Sequence, residues 1–336
     1  DQINEVVDII CQKEPKDYHP GSKEVVRDIV HPSLYCYVKG VSNVLMSPLS
    51  DYGKTKKTSN APNRKYDFWG RKYEKSDYQW LPAEFVVDES GKVSINSYIN
   101  NLDRDNYPKA YDLISDIFSY FVPLFESICG CLRNDFYGDE KSDDPISIPL
   151  RNRKLQVVTK IVEYRVNQEE NFDGVWHVEG MSHENIIATG LCILKRDNNF
   201  QGADISFKRY LFEEEAEDLI LNTPQNAIRP TEMMDGGDVR PLGTMSTPYG
   251  RILVFPNSHI HKLSNMSSSD GNDAIRRILV FWLVNPETPI VSTANVAKQQ
   301  TTMTFEEAKT YQMALMKERK LHKESFNLRA VCLCEH

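Results

Sequence analysis

Between residues 105 and 133 apolar side chains recur at helical spacing: Leu113, Ile114, Ile117, Phe118, Phe121, Leu124, Phe125 and Ile128. With about 3.6 residues per turn they share one stripe. The segment therefore predicts an amphipathic helix, bent at Pro123, whose ring removes a backbone donor. From residue 150 onward the pattern changes to β-branched residues with partial period-two alternation. Residues 155–166 (LQVVTKIVEYRV) give the clearest strand, and 186–194, 203–210, 251–255 and 278–284 follow it. Turn signals such as Asp235-Gly236-Gly237 and Tyr249-Gly250 fall between them. Short strands in succession predict a β-sandwich or barrel. Residues 304–325 return to helix, with a Thr at the cap, acids in the first turn and bases later, as the helix dipole favours.

Composition narrows the class only a little. The chain has 336 residues, and no unbroken apolar run approaches the ~18 that suggest a membrane span. A net charge of -8 argues against broad nucleic-acid affinity, which needs clustered Lys and Arg to displace counterions. One basic stretch, 54–75, interleaves aromatics and reads as a solvated loop. Seven cysteines are an odd number, and Cys129-x-Cys131 and Cys332-x-Cys334 are too close within each pair for a disulfide framework. A zinc site from both pairs with His336 lacks the usual spacing, so free thiols in a reducing compartment are expected. The first residues have no basic end followed by an apolar core, which reads as no secretory signal and a cytoplasmic location.

Three segments carry candidate chemistry. In Gly174-Val-Trp-His-Val-Glu-Gly180, His177 and Glu179 are two apart and would share a strand face. Two histidines and one carboxylate make the facial set of non-haem Fe(II), so a second histidine is needed from a distant strand. Residues 250–262 (GRILVFPNSHIHK) offer His259 and His261, which share a face. In Arg276-Arg277-Ile-Leu-Val-Phe-Trp-Leu-Val284 a strand opens with arginines facing opposite ways. A buried guanidinium needs a partner, and a ligand carboxylate matches its fork; Asp270 or Asp273 could also serve. His19, His31, His183, His322 and His336 have no comparable setting and read as structural or exposed. A His/Glu/His set also suits a zinc hydrolase, which gives the arginine no role.

Longer strings carry a resemblance. DIVHPSLY (28–35), WLPAEF (80–85), SYINNL (97–102), LQVVTKI (155–161), WHVEG (176–180), GRILVFPN (250–257), RRILVFWLVNP (276–286), STANV (292–296) and CEH (334–336) resemble a family common in fungi, described as a domain of unknown function and grouped with the 2-oxoglutarate/Fe(II)-dependent oxygenases. The resemblance spans nearly the whole chain. It implies an α+β protein built on a double-stranded β-helix, a jelly-roll or cupin-like barrel with N- and C-terminal helical elements. Residues 1–149 would form a mixed region packed on the barrel, 150–300 the oxygenase core, and 301–336 a helix and tail.

By position in the family pattern, the implied metal ligands and catalytic set are His177, Glu179 and His261, the last lying four residues after the Asn of FPN. Glu179 stands where the superfamily more often has Asp. Arg276 is the implied anchor of 2-oxoglutarate. Cofactors would be Fe(II), 2-oxoglutarate as co-substrate and O2, and the expected reaction is hydroxylation or demethylation with release of succinate and CO2. The rival of a different class is a β-helix binding protein without turnover. The expected partner is a small-molecule or peptide substrate, with no membrane and no nucleic acid. Tyr73, Tyr78, Trp80 and Glu84 would suit a cationic or peptide target or serve as packing, and residues 222–243, rich in Pro and Gly, would form part of a lid.

Overall fold

The computed structural model describes residues 1–45, 76–133, 149–210 and 239–327. The chain opens with helix α1 (Gln2–Lys13) and strands β1 (Asp17–Tyr18), β2 (Val26–Val30) and β3 (Tyr37–Val38). Next come β4 (Tyr78–Gln79), β5 (Ala83–Val87), β6 (Val93–Ile95) and the long helix α2 (Pro108–Arg133). Strands β7 (Arg153–Val166), β8 (Ile186–Arg196), β9 (Phe200–Gly202) and β10 (Ile205–Tyr210) follow. The last strands are β11 (Val239–Met245), β12 (Ile252–Pro256), β13 (Ile260–Leu263), β14 (Met266–Ser268) and β15 (Ala274–Val284). Two helices, α3 (Gln299–Thr302) and α4 (Phe305–Asn327), complete the described chain.

Strands β7 and β15 sit at the centre of an eight-stranded sheet of order β1-β2-β7-β15-β8-β12, with β5 also on β7 and β6 on β5. Every pairing is antiparallel. One face packs against α1 and α2, through Val157, Ile161, Leu279, Phe281 and Cys192 among others. The other face, with Val158, Tyr164, Leu191, Ile278 and Trp282, packs against side chains of β9, β10, β13 and β14. Both faces are covered, which is why β7, β8 and β15 read as near-continuous apolar runs rather than strict alternation.

Helix α2 forms where the periodicity places it and runs through Pro123 as one helix. Phe118, Phe121 and Phe125 are fully buried and pack against one another, and Phe118 and Phe121 meet Phe281 edge-on. Each such ring stabilises the fold by roughly 1.5–3 kcal/mol relative to exposure. Gly190 on β8 allows this approach, since a Cβ there would lie 2.7 Å from the Phe121 ring. Among the described residues one helical stretch, Pro108–Gly130, is long and apolar enough to cross a membrane by length and composition, although no unbroken apolar run exists in it. The phenylalanine stripe of that stretch fills the core instead.

The result is a mixed α/β architecture with antiparallel sheets, in agreement with the α+β expectation at that level. Helix α4 begins as the Thr cap predicts. The Thr304 hydroxyl accepts from the Glu307 amide at 3.2 Å, and Glu307 accepts from the Thr304 amide at 2.7 Å, a reciprocal capping box.

Candidate metal centre

The segment carrying His177 is not a ladder strand. It meets the β-structure at isolated bridges, Phe172 with Met266 and then His177 with His261, where the two histidines exchange backbone hydrogen bonds of 3.0 and 2.9 Å. The second bridge brings the two imidazoles to 4.2 Å between ring centroids. His177 Nε2 lies 3.6 Å and His261 Nε2 3.3 Å from Glu179 Oε1. All three residues are buried. Sequence spacing left His259 and His261 open; the structure joins His261 to His177 and Glu179.

The hydrogen bonds fix what these nitrogens offer. His177 Nδ1 lies 2.8 Å from the Val175 carbonyl, and His261 Nδ1 3.1 Å from the His259 carbonyl. A carbonyl only accepts, so both Nδ1 atoms carry the proton, and in the neutral rings both Nε2 atoms present lone pairs toward Glu179. Burial works against charge on the Glu179 carboxyl; with protons on the facing imidazole nitrogens, hydrogen bonds and charge from His177 and His261 outweigh it and lower the pKa, and a metal would take the place of those protons. Its Oε2 has no protein partner. Two imidazole lone pairs and a carboxylate aimed at one point fit a divalent transition metal, with carbonyls orienting each imidazole from behind.

A second histidine–carboxylate group shows what the first is not. His19, Asp28 and His31 are equally close and equally buried. Here, however, the Ser33 amide donates to His31 Nδ1 at 3.2 Å, so a neutral His31 carries its proton on Nε2, facing Asp28 Oδ2 at 3.4 Å. His19 Nδ1 lies 3.2 Å from the same oxygen and Lys160 Nζ 3.2 Å from the other. Protons and an ammonium already occupy the directions a metal would take. The sequence gives His19 and His31 no comparable setting, and the cluster they form with Asp28 corrects that expectation.

Glu179 is held through its backbone. The Asn257 side chain accepts from the Glu179 amide at 2.9 Å and donates to its carbonyl at 2.9 Å, imitating a neighbouring strand. That is why His177 and Glu179 converge without a ladder. Beneath them Glu184 accepts from the Met181 amide and from the Trp80 amide, each at 2.7 Å, and pairs with Arg319 of α4 at 2.7 Å. Gly180 between these anchors has φ +64°, and a Cβ there would lie 2.8 Å from Glu184 Oε2 and 2.7 Å from Ile186. Trp80, considered for a substrate site, is instead fully buried, stacked on Trp282 at 4.9 Å and under the Arg319 guanidinium at 4.0 Å. Asn257, Glu184 and Arg319 were missed in the sequence reading as functional residues; only the FPN string pointed at one of them.

The two arginines of β15 diverge. Arg277 reaches Glu163 at 2.7 Å and Asp8 at 2.5 Å on the helical side of the sheet. Arg276 is fully buried on the other face, where Nη2 donates to Thr247 Oγ1 at 3.0 Å and Nε and Nη1 have no partner. Asp273 pairs with Arg165 and Asp270 with Asn199, so neither takes the role weighed for it. Burial pushes the Arg276 pKa down to about 10. Tyr164, its cross-strand partner, lies with its ring 5.9 Å from the guanidinium and its hydroxyl without a partner. Burial raises the pKa of that hydroxyl, and Lys160 and Arg276 work against the rise.

His259 shares the metal face but stays outside the set; burial, Arg209 and His261 lower its pKa to about 4. His183 Nε2 donates to the Tyr78 carbonyl at 2.9 Å and lies outside the His177–Glu179–His261 set. The basic stretch 54–75 with Tyr73, the residues 222–238 of the expected lid, His322, His336 and the side chains of Cys131, Cys332 and Cys334 lie outside the described residues. Cys129 is a buried free thiol whose pKa burial raises to about 12.

The chain belongs to the family described as "Protein of unknown function (DUF4246)", whose model matches residues 2–148 and 134–307. A comparison with curated proteins found no match. Among solved structures, the chain is similar to IDO from Bacillus thuringiensis at 13% identity and TM-score 0.32, covering 61% of this chain and 75% of that one. It is also similar to the Fe(II)/(alpha)ketoglutarate-dependent dioxygenase TqaL, at 12% identity and TM-score 0.34, covering 63% and 70%. A 2OG-Fe(II) oxygenase family oxidoreductase from Burkholderia pseudomallei matches at 14% identity and TM-score 0.27, covering 66% and 71%. TM-scores this low carry nothing about chemistry, which is read below from this chain's own side chains.

Proposed function

We propose that this protein is a 2-oxoglutarate- and Fe(II)-dependent oxygenase, its opposed antiparallel sheets forming a double-stranded β-helix. The observation that carries this reading is the presence of two features on the side of the molecule where the eight-stranded sheet packs against β10 and β13. One is a His/Glu/His set whose lone pairs converge; the other is Arg276, fully buried with two guanidinium nitrogens unpartnered. A buried guanidinium without an acid is costly, and a ligand carboxylate removes the cost.

In this reading His177, Glu179 and His261 hold the metal, leaving positions open for co-substrate, O2 and substrate. Arg276 binds the far carboxylate of 2-oxoglutarate, and the Tyr164 hydroxyl and Thr247 side chain orient it. Fe(II) with 2-oxoglutarate and O2 would supply the oxidising power, releasing succinate and CO2. The protein's share is positioning and exclusion of water, for which Phe207 and Phe255 stand against His261 at 6.2 and 4.8 Å between ring centroids. A zinc hydrolase would use the same ligands but leaves Arg276 buried for no purpose.

The test is succinate formed from 2-oxoglutarate under air, with Fe(II) and ascorbate. The wild type produces succinate in an iron-dependent way, and R276M needs at least about tenfold more 2-oxoglutarate, the scale of a lost charge-assisted bond. Zinc-dependent hydrolysis with no succinate under any condition would overturn the reading.

A further inference from the structure

Strand β15 runs between β7 and β8, and one rung across the three strands holds two guanidinium groups and a phenol. Arg276 lies directly opposite Tyr164 on β7 and Arg196 on β8. Residues directly opposite share a face, with Cβ atoms about 4.5–5.5 Å apart. Four side-chain atoms of this rung are buried without a hydrogen-bond partner: Arg276 Nε and Nη1, Arg196 Nη1 and the Tyr164 hydroxyl. A guanidinium only donates, so whatever completes the rung must accept.

The next rung of the same strands is built differently. Arg277 lies opposite Glu163 and Lys195; it pairs with Glu163 at 2.7 Å, and Lys195 has Asp197 at 3.7 Å. On the Arg276 face, among the described residues, no carboxylate forms an ion pair with either arginine. Arg196 Nη2 donates instead to the Phe200 and Gly202 carbonyls at 3.2 and 2.9 Å, its guanidinium 5.2 Å from the Phe200 ring centroid. Those contacts fix the side chain and leave Nη1 unmet. Burial lowers the pKa of both arginines, and Arg196 deepens the fall at Arg276; Asp204 opposes it at both, from beyond ion-pair distance. Like charges directly opposite on neighbouring strands disfavour the pairing, and an anion between them reverses the sign. A carboxylate offers two oxygens and about four lone-pair directions, which matches the orphaned donors of this rung.

We propose that Arg196 is a second anchor for the far carboxylate of the co-substrate, so that the Arg196–Arg276–Tyr164 rung, and not Arg276 alone, selects a dicarboxylic keto acid. This assignment rests on the oxygenase reading. A keto acid with an uncharged far end would leave the orphaned nitrogens of both arginines unmet, and the rung rejects it on two counts. Arg196 is thereby a binding residue as well as a brace for the turn at Phe200 and Gly202.

The experiment is anaerobic titration of the full chain with Fe(II), using 2-oxoglutarate and 2-oxovalerate in turn, followed by the charge-transfer band. The two acids share the keto-acid end and differ at the far end, a carboxylate in one and a methyl in the other. The wild type should prefer 2-oxoglutarate about hundredfold, each arginine contributing about tenfold. R196M should lose about tenfold for 2-oxoglutarate and nothing for 2-oxovalerate, and R196K should restore part of the loss. If R196M fails to fold, R276M carries the test, because Arg196 then keeps a preference of about tenfold. A preference unchanged in R196M, an equal loss for both acids, or no preference left in R276M overturns the assignment alone. No band with either acid in the wild type overturns the oxygenase reading and this assignment with it.

Discussion

A hydrogen position separates the two histidine–carboxylate groups of this protein. His261 donates backward from Nδ1 to a carbonyl, whereas His31 receives an amide proton at Nδ1; the first ring faces its carboxylate with a lone pair, the second with a proton. No spacing in the sequence distinguishes them, because the carbonyl and the amide come from the local backbone path. What spacing did reveal was the His177–Glu179 pair and the opposite facing of Arg276 and Arg277. It did not reveal Asn257, which supplies Glu179 with the backbone partners that a ladder would have given. N257A should lower Fe(II) or Co(II) affinity by about 10–100-fold, the range for residues that orient ligands from behind. Metal titration followed by Co(II) absorption reads this directly, and an unchanged affinity would deny Asn257 its positioning role.

At the level of elements, the strands most legible in the sequence are those buried on both faces, β7, β8 and β15, whose β-branched runs admit little else. Helix α2 was legible from its phenylalanine stripe and α4 from the Thr304–Glu307 box. The 174–180 segment was read as a strand, and its true form as a single bridge followed only from the Asn257 contact. The role of α4 was also hidden, since Arg319 and Glu184 are 135 positions apart. Their buried pair joins this helix to the loop beneath the metal ligands. R319M leaves the Glu184 carboxylate buried without its cation, at a cost of about 3–5 kcal/mol. Urea unfolding should show that loss, together with faster exchange of the Met181 amide; unchanged stability would mean that α4 does not brace the metal loop.

Across the whole molecule, Asp28 on β2 and Lys160 on β7 tie the N-terminal strands to the central sheet from inside the protein. Burial works against the Asp28 charge, but His31, Lys160 and His19 outweigh it and set its pKa well below its ordinary 3.8. A carboxyl lowered on folding stabilises fully above 3.8 and loses that contribution as pH falls toward its folded value. D28N should cost about 3–5 kcal/mol near neutral pH by leaving Lys160 without its carboxylate, and should flatten the acid limb of stability below pH 3.8. Urea midpoints across that range check both, and an acid limb as steep as wild type would remove Asp28 from the account. The other cluster, His177, Glu179 and His261, holds the metal in the oxygenase reading. Its most direct test is anaerobic addition of Fe(II) and 2-oxoglutarate to the purified chain, followed by visible absorption. A charge-transfer band that requires both additions and is absent in H177A is the predicted result. No band in the wild type, with 2-oxoglutarate in excess, would contradict it.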